Sequence, residues 1–161
     1  MVIPQDRKVI LYAPTFRDNR KVNIYDIDLD RVQKEFENKY GEKYVTLVRL
    51  HPHLKSKFHQ ISKKYPHAVN ATTYPDIQEL LLCSVFLITD YSSSIFDFML
   101  NSKPVFIFAD DYQEYTKERG FYLDMNTLPF PIAFSNDDLA SKIKNFDKDL
   151  LKFYSGKEEI M

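Results

Sequence analysis

The chain has 161 residues, 44% of them hydrophobic and 28% charged, an ordinary globular composition with room for one domain. Twenty-two Lys and Arg stand against 23 Asp and Glu, a formal net charge of −1 that excludes a strongly basic nucleic-acid binder but leaves room for a local basic pocket. Only three glycines occur, Gly41, Gly120 and Gly156, so a glycine-rich phosphate loop is excluded, and any phosphate site must use hydroxyls and helix N-termini.

In chain order, residues 8–13 form a buried apolar strand ended by Pro14. Leu29, Val32 and Phe36 recur at helical spacing, predicting a helix over residues 28–40 with Gly41 at its C-terminal cap. Residues 44–50 read as a second strand, 54–65 as a helix and 67–70 as a short third strand. A compact helix is expected over 75–83, with Pro75 in its first turn and Asp76 complementing the dipole. Val-Phe-Leu-Ile-Thr at 85–89 is the clearest strand, a continuous run of the kind found in buried parallel sheets. A helix over 92–101, a strand over 103–108 and a helix over 110–118 follow. A short strand at 131–134 precedes a helix over 137–146, with an N-cap signal at Ser135, and the tail to Met161 is a short helix or disordered.

Strands alternating with helices predict a parallel sheet covered on both faces, a doubly wound, Rossmann-like α/β domain. Eleven Tyr and 13 Phe with no Trp point to core packing rather than a base-stacking platform. Cys83 has no disulfide partner, and its place in the apolar run 80–85 predicts a reduced, buried thiol. No apolar run approaches the ~20 residues of a membrane helix, and the N-terminus lacks a signal-peptide pattern, so a cytoplasmic setting is expected.

In such sheets ligands bind where the C-terminal ends of the strands meet the following loops. The first loop carries Thr15 and Arg17, a hydroxyl and a planar fork suited to phosphate; alone, they also fit a turn with a surface arginine. The second is Arg49-Leu-His51-Pro52-His53, where alternation along the strand puts Arg49 and His51 on one side as an anion site. His53, beyond Pro52, is expected to point away and to cap or solvate the following helix, and His59 and His67, which have no such setting, are expected on the surface. The third loop, Thr89-Asp-Tyr-Ser92-Ser93-Ser94-Ile-Phe-Asp97, runs from a strong strand into an apolar helix. Three hydroxyls exceed what one helix cap needs, which favours a diphosphate site over simple capping by Ser92 or Ser93. Asp97, one turn beyond Ser93, can accept from a ribose diol, and Asp90 is expected to fix the loop by accepting backbone N–H groups. No Cys/His spacing suits zinc, and the adjacent aspartates at 110–111 and 137–138 are explained by capping. A phosphoacceptor receiver domain would need an acidic pair after the first strand, where this chain has Ala13-Pro14-Thr15.

The segments Lys8-Val-Ile-Leu-Tyr-Ala-Pro-Thr-Phe-Arg17, Arg49-Leu-His-Pro52 and Thr89-Asp-Tyr-Ser-Ser-Ser-Ile-Phe-Asp97 together resemble the CDP-glycerol glycerophosphotransferase family, which primes or polymerises teichoic-acid-type polymers. The resemblance extends over residues 3–143, including Lys103-Pro-Val-Phe-Ile-Phe108 and Arg119-Gly-Phe-Tyr-Leu-Asp124. It implies the C-terminal, donor-binding half of a two-domain GT-B fold, a single nucleotide-binding domain over 1–161, with the N-terminal acceptor domain absent. It implies that Thr15 and Arg17 face the donor, that Arg49 and His51 serve phosphate binding and catalysis, that Ser92 and Ser93 bind the diphosphate with Ser94 beside them, and that Asp97 lies near the ribose. Leu128-Pro-Phe-Pro131 stands where relatives often have Gly-Pro, and that loop is left out of the site.

The implied reaction is attack of an acceptor hydroxyl on the β-phosphorus of CDP-glycerol, releasing CMP, with His51, when protonated, stabilising or protonating the departing phosphate. The base and the acceptor site, for a polyol-phosphate polymer or a lipid-linked acceptor, would lie in the missing domain. No cofactor, metal or nucleic acid is implied, and the complete enzyme would be cytoplasmic or peripheral at the inner face of the membrane. Two other readings share the same loops: a GT-B transferase using CDP-ribitol or a nucleotide sugar, and a non-catalytic nucleotide-binding module. For base selection, the loop over residues 70–76 could contact cytosine through its backbone.

Overall fold

The computed structural model describes residues 3–15, 26–118 and 127–147. Its apolar runs become strands because, buried on both faces, they have no polar side to offer water. In chain order the elements are β1 (Lys8–Tyr12), α1 (Leu29–Tyr40), β2 (Tyr44–Val48), a 3₁₀ segment (Pro52–Lys57), α2 (Phe58–Lys64), β3 (Val69–Asn70) and α3 (Ile77–Cys83). β4 (Ser84–Thr89), α4 (Ser94–Met99), β5 (Val105–Phe108), α5 (Tyr112–Glu118), β6 (Ile132–Ala133) and α6 (Asn136–Asn145) complete it.

The six strands are ordered β3-β2-β1-β4-β5-β6, and every pairing is parallel. The order reverses between β1 and β4, and that reversal opens a crevice at the C-terminal ends of the strands. One face of the sheet carries Ile10, Tyr12, Phe86, Phe106 and Phe108 against Phe36 of α1 and Leu139 and Ile143 of α6. The other carries Val9, Leu11, Leu47, Leu87 and Ile107 against Leu80 and Leu81 of α3 and Ile95 and Phe98 of α4. The domain is therefore doubly wound and Rossmann-like.

Local chemistry sets the helix ends. Asp28 accepts from the Arg31 N–H at 3.0 Å to open α1, and Gly41, at φ 65°, closes it in the left-handed conformation. Ser135 caps α6 by accepting from the Asp138 N–H at 3.1 Å. Asp76 accepts from the Gln78 N–H at 2.8 Å, so it caps α3 and leaves Pro75 outside the helix, not in its first turn. The helix expected over 54–65 instead starts as the 3₁₀ segment at Pro52, and α4 is shorter than the 92–101 expected of it. Cys83 is exposed rather than buried, because the run 80–85 crosses the boundary between α3 and β4. The segment after residue 147 lies outside the described residues. Among the described residues no helix is long and apolar enough to cross a membrane.

Phe36 is fully buried; its ring stacks on Phe86 at 4.2 Å and meets Phe106 edge-on at 5.5 Å. Phe36→Ala is expected to lower unfolding free energy in urea by about 3–5 kcal/mol, while Phe96→Ser on the exposed side of α4 changes it by less than about 0.5 kcal/mol.

Candidate functional site

β1 lies between β2 and β4, so the loops following all three strands emerge side by side. Together they enclose an open cleft of about 300 Å³. Ala13, Pro14 and Thr15 line it from the first loop, Arg49, Leu50, His51 and Pro52 from the second, and Ser92 and Ser94 from the third, with Ile77 of α3 beside them.

The first and third loops are joined by the Asp90 carboxylate, which is only 7% exposed. It accepts from the Thr15 backbone N–H at 2.8 Å, the Thr15 hydroxyl at 2.9 Å and the Tyr91 N–H at 2.7 Å. The Thr89 hydroxyl adds a buried bond to the Ala13 carbonyl at 2.7 Å. Asp90 thus fixes the loop through backbone N–H groups, as its position after β4 suggested, and the Thr15 hydroxyl proton belongs to this clamp.

The second loop is braced against the segment following β3. The Arg49 Nη1 donates to the carbonyls of Tyr74 at 2.5 Å and Ala71 at 3.4 Å, and the Leu50 N–H donates to the Thr72 hydroxyl at 3.1 Å. Two carbonyls of the 70–76 segment are therefore already engaged by Arg49. A guanidinium has five N–H donors, so this brace through Nη1 does not spend those on Nη2 and Nε, and Arg49 also lines the cleft.

His51 and His53 are both exposed, yet their rings stack at 4.8 Å with 26° between planes. The expectation that His53 points away fails because the chain leaves β2 at Val48 and enters a tight turn at Pro52. The 3₁₀ turn brings residue 53 back onto residue 51. His59 and His67 are exposed, as expected, and His67 pairs with Asp30 at 2.9 Å.

In the third loop Ser92 and Ser94 bond hydroxyl to hydroxyl at 2.7 Å, and the Ser92 oxygen also accepts the Ser94 N–H at 3.2 Å. Whichever serine donates, one hydroxyl proton is left for a ligand. Ser93 occupies the cap position of α4 without a side-chain cap bond. Ser93 and Asp97 are exposed one turn apart and do not line the cleft.

The structure therefore brings together Thr15, Arg49, His51, Ser92 and Ser94 of the sequence-predicted set, and Arg17 lies outside the described residues. Sequence reasoning missed Ile77 and the Arg49 brace, whose carbonyl partners lie 22 and 25 residues away. Among the described residues no group of three or more His, Cys, Asp or Glu is placed to hold a metal ion.

Residues 1–157 match the family described as CDP-Glycerol:Poly(glycerophosphate) glycerophosphotransferase. The chain is 42% identical to the teichoic acid poly(glycerol phosphate) polymerase of Staphylococcus epidermidis over 91% of its own length and 21% of that protein's. It is 34% identical to the teichoic acid poly(ribitol-phosphate) polymerase of Bacillus spizizenii over 87% of its length and 23% of that protein's. Against the structure of the wall teichoic acid polymerase TagF it reaches a TM-score of 0.72 at 38% identity, covering 94% of this chain and 38% of that one. TagF has also been described with CDPG soaked into its H444N variant. This chain thus spans about a fifth of the length of these two curated relatives. With the match running almost end to end, the chain belongs to the CDP-glycerol:poly(glycerophosphate) glycerophosphotransferase family.

Proposed function

We propose that this chain is the donor-binding half of a glycerophosphotransferase and that its cleft holds the diphosphate of CDP-glycerol. The observation that carries the reading is the convergence of Arg49, His51, Ser92 and Ser94 on one cleft at the point where strand order reverses. A diphosphate takes only donors, and this cleft supplies guanidinium, imidazole and hydroxyl protons without a glycine-rich loop.

In the complete enzyme a terminal hydroxyl of a teichoic-acid-type acceptor attacks the β-phosphorus, forming the new P–O bond as the bond to the departing CMP oxygen breaks. Catalysis of such a step rests on positioning and on stabilising dispersed negative charge. Arg49 and the serine hydroxyls hold the non-bridging oxygens, and His51 donates to the oxygen leaving with CMP. Arg17, further along the first loop, faces the same anion in this reading, and Ser93 with Asp97 takes the ribose side. Asp90 and Thr15 act on the ligand indirectly, by holding the first and third loops at their spacing. The acceptor and the base that activates it belong to a domain outside this chain.

The ribitol polymerase at 34% identity supports a second donor, CDP-ribitol, because the same phosphate loops serve either polyol. Calorimetric titration of the chain with CDP-glycerol, CDP-ribitol, CDP and UDP tests both. Saturable, cytidine-selective binding is expected, with Ser92→Ala weakening it about 2- to 12-fold, the worth of one hydroxyl bond; binding that ignores the base, or none at all, overturns the donor-domain reading. Asp90→Ala strips part-buried N–H groups of their acceptor, so the unfolding free energy in urea should fall by about 1–3 kcal/mol and donor affinity should fall with it. Full affinity in that variant would remove Asp90 from the account.

A further inference from the structure

We infer that His53 is a positioning residue for His51, capping its Nδ1 so that the neutral ring carries its proton on Nε2 and meets a ligand as a hydrogen-bond donor. The inference rests on the cleft being an anion site, and it assigns which nitrogen of His51 serves that site.

The geometry follows from the order His51-Pro52-His53. Proline has no N–H, so the first backbone donor of the 3₁₀ segment belongs to His53. That N–H donates to the His51 Nδ1 at 3.4 Å, while the Leu54 N–H donates to the His51 carbonyl at 2.9 Å. His51 therefore occupies the cap position of the segment, its ring nitrogen doing what an aspartate or serine oxygen does elsewhere. Only a lone pair can meet a backbone N–H, so Nδ1 is unprotonated and the neutral ring is the Nε2–H tautomer. The stacked His53 ring, 4.8 Å away, holds the plane of a side chain that is otherwise exposed. The opposite tautomer would turn a lone pair toward phosphate oxygens, which repel it; the capped ring presents a proton.

The tautomer can be read directly from the imidazole ¹⁵N shifts of the unliganded, ¹⁵N-labelled chain at about pH 9, above the ordinary imidazole range. A predominant Nε2–H signature at His51 is expected; a predominant Nδ1–H form or an even mixture overturns the assignment. The ring's role is tested with inorganic pyrophosphate. His53→Ala keeps the backbone donor and should leave the tautomer unchanged while weakening pyrophosphate about 2- to 10-fold, with His53→Phe restoring it. Unchanged affinity in His53→Ala overturns the stacking role. A wild-type chain that binds no pyrophosphate overturns the anion-site reading and the ring's role in it, while the nitrogen shifts decide the tautomer independently.

Discussion

One buried carboxylate, Asp90, sets the distance between the two loops that flank the switch point of the sheet. Parallel pairing of β1 with both β2 and β4 delivers three loops to one edge, but pairing alone leaves the ends of those loops free to diverge. By accepting both the N–H and the hydroxyl of Thr15 together with the Tyr91 N–H, Asp90 ties the first loop to the third. Arg49 does the equivalent for the second loop by gripping the carbonyls of Ala71 and Tyr74. The cleft between them owes its shape to these two braces.

On the donor-binding reading, that arrangement is how a chain with only three glycines would hold a phosphate group. Glycine-rich loops bring bare backbone close to the anion, whereas here the donors are carried on side chains whose partners are already fixed. The Ser92–Ser94 pair leaves one hydroxyl proton available whichever way it is arranged, and the His51 ring is held by the turn that follows it. Preorganised donors of this kind stabilise developing charge without first having to reorient.

The strands were legible because their apolar runs are continuous, and the caps at Asp28, Gly41 and Ser135 because each follows from a local side-chain or backbone preference. That Thr15, Arg49, His51, Ser92 and Ser94 would gather at one cleft was legible because the loops after neighbouring parallel strands emerge on the same side of the sheet. The failures share a place: each falls where an element ends. The turn that starts at Pro52, beyond the end of β2, was not foreseen and left His53 facing the wrong way, and one apolar run read as one environment buried Cys83. Arg49's second role was beyond reach, since its partners are backbone carbonyls distant in sequence.

The most direct test is amide chemical-shift mapping of CDP-glycerol on the ¹⁵N-labelled chain. The account predicts that shifts concentrate at Thr15, at residues 49–51 and 53, and at residues 92–94. A second cavity, of about 210 Å³, is lined by Asp26, Asp28 and Asp30 with Lys64, and its carboxylates should repel a diphosphate. Shifts gathered there, with the strand-end loops unmoved, would contradict the assignment of the cleft.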